Sequence, residues 1–456
     1  MKINKKNYYN IFLIFLSFHL LIWTLIPSIT NNNLPLDTIE ALAWSSNLDW
    51  GFSKHPPASA FFVEIFYQIF GNQDWSYYLL SQVFVISSFF IVWKFSREIF
   101  KDKAHCLIAV LLLETIYFYN FTSPEFNVNV SQLPFWALTV FYSWKCFNHN
   151  NLKDWVLLGL FAALGFLSKY LFIYLLVAIE IFFIYFILAN KRFSYKYLIS
   201  GAIFILVLLP HLNWLVENDY ITINYGLDRT GSADPVIVNH LIYPLIFFFK
   251  QIGILVLFFL SIFFITSRIK LKLNFKDKKL LFLIAINIIP ITLMFLTSLF
   301  LGAKIRTMWM TPFYLFLGVL VVYVVQKQID LKRIKRFIYI ILASSIFSVS
   351  MYSYISIVND NKRTDYPGKE IADLVQSRWD RNFSNNIAIV IGDEWHGGNL
   401  SYHLTSRPIW FNDSIPKDLN YDGGVIYTGN KKVLEKICPG IFGSIKNQGI
   451  CMIGSK

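Results

Sequence analysis

The feature that most constrains this chain is a series of long apolar runs that recurs up to about residue 357. A helix needs about 20 apolar residues to cross about 30 Å of hydrocarbon. Charged residues make up only 15% of the chain, against about a quarter in soluble globular proteins. The sequence therefore predicts an all-α polytopic membrane protein with about eleven transmembrane helices. We place the spans at residues 11–29, 78–97, 105–121, 130–147, 155–168, 171–189, 198–214, 240–265, 280–300, 308–326 and 337–357.

The basic residues are distributed unevenly around these spans. With a cytoplasmic amino terminus, which carries Lys2, Lys5 and Lys6, most of the 41 Lys and Arg residues fall in cytoplasmic segments, as the positive-inside rule requires. The net charge of +13 then reflects topology, and we expect no nucleic-acid partner. No cleavage site follows the first span, so we predict a retained signal anchor in a bacterial inner membrane. The outside loops carry few cations, namely Lys54, Lys169, Arg229, Lys304 and Arg306.

An odd number of spans places the polar tail, residues 358–456, in the periplasm, after a transmembrane domain of residues 1–357. The tail is predicted to be a small α/β domain. If it is oxidised, its two cysteines form a disulfide; otherwise they are two free thiols. The predicted elements are a helix over Lys369–Asp380, strands over Ile387–Ile391, Pro408–Phe411 and Val425–Thr428, turns at Gly397-Gly398 and Gly423-Gly424, and the cysteine pair Cys438 and Cys451.

The first outside loop, residues 31–76, is longer than a hairpin needs and is rich in Trp, Pro and acidic residues. Asp37, Glu40 and Trp44 follow Pro35 at helical spacing, so a short helix along the membrane surface would display both carboxylates on one face. A structural role is the alternative for the carboxylates, which would lie near the positive end of a helix. The tryptophans are expected to be interfacial anchors, with sugar-stacking platforms as the alternative. The candidate anchors are Trp44, Trp50 and Trp75.

These residues resemble the motifs of the dolichyl-phosphate-mannose protein mannosyltransferase superfamily (GT-C), in particular its bacterial branch that includes the lipid A aminoarabinose transferases. The Asp-x-x-Glu pair after the first span and the element Lys54-His55-Pro56-Pro57 carry the likeness most specifically. The weaker matches are Thr122-Ser123-Pro124-Glu125 and Arg306-Thr307-Met308-Trp309-Met310-Thr311-Pro312.

The likeness covers roughly residues 1–330 and has two departures. His55 takes the middle position of the family's usual Lys-Pro-Pro, and the tail is shorter than in typical aminoarabinose transferases. The second departure leaves the acceptor undetermined: lipid A, another envelope glycolipid or a protein hydroxyl.

The resemblance implies a GT-C-like fold and transfer of a sugar from a polyprenyl-phosphate donor at the periplasmic face. Asp37 would be the base for an acceptor hydroxyl, or would position a phosphate acceptor, and Glu40 would orient the acceptor or a metal. Glu125 would bind the sugar or a metal, and a divalent metal is left open. The leaving phosphate needs cations, and the residues implied are Lys54, His55, Lys304 and Arg306.

Structural roles compete for these residues too. Lys54 could extend its ammonium to water, His55 could bond to backbone, and Arg306 could face anionic headgroups. A tail metal site of Glu394, His396 and His403 is a further, loosely spaced hypothesis.

Two other function classes remain as alternatives. A transporter or flippase for lipid-linked saccharides would carry polar residues along its spans and often repeated halves, whereas here the polar residues cluster in outside loops and no duplication is visible. A structural membrane protein would explain the apolar bulk but not the acidic first loop.

Overall fold

The computed structural model describes residues 7–191, 193–231, 236–267, 273–416, 419 and 421–456. Lys2, Lys5 and Lys6, which precede the predicted signal anchor, lie outside the described residues.

The chain up to residue 358 forms a bundle of helices. Within the described ranges, seven helices are long and apolar enough to cross a membrane, and a pair bent by 52° would make an eighth. The helices of this part are α1 (Tyr8–Thr30), α2 (Leu36–Ser45), α3 (Ala58–Phe70), α4 (Asp74–Ile99), α5 (Lys103–Leu111), α6 (Val128–Ser131), α7 (Leu133–His149), α8 (Leu152–Ser168), α9 (Ile173–Asn190), α10 (Lys196–Glu217), α11 (Ile221–Thr230), α12 (Asn239–Ile265), α13 (Lys278–Leu301), α14 (Leu317–Val325) and α15 (Ile334–Val358).

The predicted spans differ from these helices in the middle of the bundle. A continuous helix over 105–121 is wrong, because α5 ends at Leu111 and two short 3-10 turns follow. At this break Oε2 of the buried Glu114 lies 2.9 Å from Nδ1 of His19 in α1. The side-chain amide of Asn120 donates to the Glu114 carbonyl at 2.7 Å. The spans predicted at 130–147 and 155–168 correspond to α7 and α8, which have 17 residues each. The expected number of about eleven therefore exceeds the helices that are long enough by themselves to cross.

The tail contains a five-stranded sheet with the strand order β2-β1-β3-β5-β4. The first three strands are mutually parallel, and β5 is antiparallel to its two neighbours. The predicted helix and three strands are present. The elements are α16 (Gly368–Asn382), β1 (Ile387–Ile391), α17 (His396–His403), β2 (Ile409–Phe411), β3 (Gly424–Asn430), α18 (Lys431–Ile437), β4 (Ile441–Ile445) and β5 (Gln448–Ile453).

Two tail expectations are decided by the structure. The turn predicted at Gly397-Gly398 is wrong, because both glycines lie in α17. A Cβ at Gly398 would lie 3.0 Å from the side chain of Ile39, so the glycine lets α17 pack closely on α2. Cys438 and Cys451 form a disulfide, which joins the end of α18 to β5.

The tail is docked on the first outside loop. Arg407 donates from Nη2 to the Leu42 carbonyl at 2.7 Å and to Ser45 Oγ at 3.0 Å. Its guanidinium lies 4.3 Å from the centre of the Tyr67 ring. Tyr402 donates to Asp74 Oδ1 at 2.8 Å. The tail therefore contacts α2 directly.

Candidate functional site

Helix α2 holds the two carboxylates that the sequence singled out. It begins after Pro35, whose fixed φ of −62° suits a helix start, and no side chain caps it. Thr38 donates to the Phe126 carbonyl at 3.0 Å. The backbone N–H of Asp37 donates to Glu125 Oε1 at 3.1 Å. These bonds join the first outside loop to the second, so Glu125 lies beside Asp37.

Lys54 lies between two carboxylates from distant parts of the chain. Its Nζ donates to Glu40 Oε1 at 2.8 Å and also to Glu394 of the tail. All three side chains are largely buried, with exposures of 24%, 12% and 14%. Burial opposes the charge of Lys54, but the bonds to Glu394 and Glu40 outweigh it and raise its pKa. Burial raises the pKa of both carboxyl groups.

The Asp37 carboxylate has no hydrogen-bond partner among the described residues. It lines a small cleft in which the hydroxyl of Ser59 is also buried and unpaired within the described part of the chain. Burial raises the pKa of Asp37, and the charges of Lys169 and Lys54 oppose that rise only in part. A carboxylate with a raised pKa and an open position is suited to accept a proton. The cleft is lined by Asp37, Glu40, Trp44, His55, Ser59, Asn127 and Val128.

His55 is placed at the cleft, but it does not supply a positive charge. The centre of its ring lies 6.0 Å from the centre of the Trp44 ring and 6.3 Å from the centre of the Tyr225 ring. Burial, with the nearby charges of Lys169 and Lys54, lowers its pKa to about 3. The imidazole is therefore neutral at pH 7 and can offer an N–H group to a ligand, but not the charge that a phosphate clamp would use.

Lys169, between α8 and α9, is a second cation of the site. Its Nζ donates to Asn129 Oδ1 at 2.5 Å and lies 5.2 Å from the centre of the Trp309 ring. Burial lowers its pKa to about 7, although the charge of Asp37 opposes this. Lys169 is thus poised to gain or lose a proton near neutral pH, next to the proposed base.

Glu125 is a further carboxyl group of the site whose pKa is raised. Burial and the neighbouring Asp37 raise its pKa to about 8. Two adjacent carboxyl groups in a dry site cannot both ionise cheaply, so one keeps its proton. At pH 7 this favours a protonated Glu125 beside Asp37.

The two remaining predicted cations, Arg306 and Lys304, interact less directly with the residues of the site. Arg306 is half-buried and near enough to Lys169 for its charge to lower the pKa of that lysine. Lys304 is exposed, and within the described ranges its side chain makes no hydrogen bond or ion pair. Its backbone N–H donates to the Thr230 carbonyl at 2.9 Å, which links the loop after α13 to α11.

The structure corrects two further expectations. Trp44 is not an interfacial anchor, because it is only 3% exposed and its indole N–H donates to Glu394 at 3.3 Å. Trp50 and Trp75 are exposed, at 45% and 42%. The tail metal site is wrong: Glu394 binds Lys54, whereas His396 pairs with Asp393 and His403 with Asn33. Among the described residues, no group of three or more His, Cys, Asp or Glu side chains is arranged to hold a metal ion.

Sequence reasoning missed the role of Glu394. The residue follows β1 and is separated from Lys54 by 340 positions. No local spacing connects the two, so only the docking of the tail reveals the contact. Lys169 had a weak signal, because it is one of the few cations in an outside loop.

Part of this chain is similar in sequence to known glycosyltransferases. Residues 54–214 match the family model described as dolichyl-phosphate-mannose-protein mannosyltransferase. This segment includes Lys54, Glu125 and Lys169, whereas Asp37 and Glu40 precede it. The lipopolysaccharide core galacturonosyltransferase RgtB of Rhizobium johnstonii is 26% identical over 212 residues, which cover 45% of this chain. The match spans only 42% of the length of that relative.

The fold is similar to a solved structure along almost its whole length. The crystal structure of ArnT from Cupriavidus metallidurans bound to undecaprenyl phosphate matches with a TM-score of 0.64 at 11% identity. The match covers 96% of this chain and 97% of that chain. The apo state of the same protein matches with a TM-score of 0.60 at 10% identity and the same coverage. Identity this low reports the fold and not the substrates.

Proposed function

We propose that this chain is a membrane glycosyltransferase that uses a polyprenyl-phosphate-sugar donor. The premise is that the chain has the GT-C fold and resembles the bacterial branch of that superfamily that includes ArnT. The acceptor we propose is lipid A or a related envelope glycolipid. One observation carries the proposal: Asp37, a carboxylate without a hydrogen-bond partner among the described residues, lines a cleft together with Glu40, which accepts from Lys54.

In this mechanism Lys54 binds the donor phosphate. The bond between the anomeric carbon and the phosphate oxygen breaks, and a bond from the acceptor oxygen to that carbon forms. Negative charge grows on the leaving phosphate, where a fixed buried cation stabilises it more than water would. Lys169 adds a second positive charge when it is protonated.

Asp37 receives the proton of an acceptor hydroxyl. Its raised pKa makes it a stronger base than an exposed aspartate, since an ideal catalytic pKa lies near the working pH. Glu125 in its protonated form can donate a hydrogen bond to the sugar or to Asp37. If the acceptor is a phosphate, it is already ionised, and Asp37 then positions it.

The periplasmic face is supported by the charge pattern. The cleft is built from the loops that the positive-inside rule assigns to the outside. A polyprenyl-linked donor and a lipid acceptor would both reach such a cleft by lateral diffusion in the bilayer.

Mass spectrometry of the cell envelope tests the function. Cells that lack the gene should lose a sugar-sized mass increment from lipid A, wild-type protein should restore it, and Asp37→Asn protein should not. An unchanged lipid A profile in the deletion strain would discard this acceptor.

A protein hydroxyl is the second candidate acceptor, favoured by the description of the family that matches residues 54–214. In that case the deletion strain should keep its lipid A and lose hexose- or pentose-sized increments from periplasmic proteins. If neither lipids nor proteins change, the transferase proposal itself fails.

A further inference from the structure

The carboxylates that already bind Lys54 determine how a donor phosphate can reach it. Four carboxyl groups, Asp37, Glu40, Glu125 and Glu394, lie close to Lys54 or Lys169, and the charges of Arg229 and Arg363 also act on Asp37. Lys54 already donates to Glu40 and Glu394. A phosphate that approached Lys54 in this state would meet two carboxylates at close range, and like charges in a buried site repel strongly.

The two carboxylates on Lys54 are held differently. Glu40 lies within α2, where its neighbours Ile39, Ala41 and Leu42 are buried. Glu394 lies outside any helix or strand, in the connection from β1 to α17, and belongs to the tail. Either carboxylate can leave Lys54 by rotation of its side chain, but only Glu394 belongs to the tail, so its departure changes a contact between the tail and the helical bundle.

The connection from β1 to α17, which carries Glu394, is held by close packing and hydrogen bonds. Gly392 has a φ of +156°, and a Cβ there would lie 2.6 Å from the carbonyl oxygen of Thr428. Trp410 donates to the Gly392 carbonyl at 3.0 Å. Asp393 accepts from the N–H groups of Trp395 and His396 at 2.9 Å each. The fold therefore aims one carboxylate of the tail at the lysine of the membrane domain.

We propose that Glu394 occupies the place of the donor phosphate on Lys54 when no donor is bound, and that donor binding exchanges this carboxylate for the phosphate. The inference rests on the proposed role of Lys54. It gives the tail a function in the reaction: Glu394 keeps Lys54 charged and positioned between turnovers, and it competes with the phosphate of the spent lipid, which favours product release.

Binding of undecaprenyl phosphate to the purified full-length protein in lipid nanodiscs tests the exchange. Glu394→Gln keeps a group that can accept from Lys54 and Trp44 but removes the charge. We expect it to bind the probe at least about tenfold more tightly than wild type, as the loss of a close charge competitor predicts. Glu370→Gln is the matched control, because it removes an equal charge from an exposed ion pair of the tail with Lys446. It should leave the affinity within about twofold.

The outcomes separate the inference from the proposed function. If Lys54→Met abolishes binding while Glu394→Gln binds as wild type does, the exchange is wrong and the role of Lys54 stands. Weaker binding by Glu394→Gln would also overturn the exchange, since Glu394 would then only position Lys54. If Lys54→Met binds normally, the donor-phosphate site itself is misplaced. Thermal unfolding of each variant checks that a change in affinity does not come from misfolding, and Glu394→Ala provides a second variant if the Gln side chain perturbs the connection.

Discussion

The two ends of the helical bundle use acidic residues in different ways. At the end that the charge pattern assigns to the cytoplasm, aspartates cap helices: Asp102 accepts from Ala104 N–H, Asp277 from Lys279 N–H and Asp330 from Lys332 N–H, at 2.9 to 3.0 Å. Such caps satisfy N–H groups that the helix itself leaves unpaired.

At the opposite end, the acids of α2 do not cap a helix. Helix α2 has no side-chain cap, Glu40 binds Lys54, and Asp37 lines a small cleft. Burial raises the pKa of these groups, which is unfavourable for folding and typical of functional sites. The comparison supports the proposal that the first outside loop carries the chemistry, whereas the capping aspartates serve stability.

Substitution of one aspartate at each end of the bundle should affect sugar transfer very differently. Asp37→Asn removes the base, so we expect sugar transfer to fall by about 10² to 10⁴, measured with a radiolabelled polyprenyl-phosphate-sugar and the purified protein. Asp277→Asn should keep the activity within about twofold, because Asn caps a helix nearly as well as Asp. Equal losses in the two variants would mean that both act through stability.

Lys169→Met should change the pH dependence of sugar transfer. The charge of Lys169 lowers the pKa of Asp37, so its removal raises that pKa and moves the acid limb of the pH–rate profile upward by about one unit. We expect roughly tenfold slower transfer below pH 7. The difference should shrink above pH 8, because wild-type Lys169, with a pKa of about 7, has then lost its proton. A constant ratio at all pH values would contradict this account.

Arg407→Ala should give a smaller effect, mainly on stability. The change removes two charge-assisted hydrogen bonds, to the Leu42 carbonyl and to Ser45 Oγ, at the joint between tail and α2, which should cost about 1–3 kcal/mol. We expect an earlier thermal unfolding transition and faster proteolysis of the tail. Lys446→Ala, which breaks an exposed ion pair, should change neither by a measurable amount. Identical behaviour of the two variants would show that Arg407 does not hold the tail in place.

Much of the fold could be predicted from local patterns. Apolar runs identified most of the long helices, and alternating or short apolar stretches identified strands such as Ile387–Ile391. The break after Leu111 could not be predicted, because the residues of 105–121 are apolar enough to continue a helix. The glycines of α17 were misread as a turn because their close packing on α2 is a tertiary effect.

The site was only partly visible in the sequence. Asp37 and Glu40 share one helical face, and the resemblance to a known family connected them with Lys54 and Glu125. The neutral state of His55 follows from burial, which sequence alone does not give. Glu394 entered through the docking of the tail, a contact between segments far apart in the chain.

A structure of the full-length protein with bound undecaprenyl phosphate would test the central claim most directly. The account predicts the phosphate within about 3 Å of Lys54 Nζ, beside Asp37 and on the periplasmic side of the bundle. A phosphate bound at the opposite end, near the helix caps of Asp102 and Asp277, or with Lys54 turned away from it, would contradict the account.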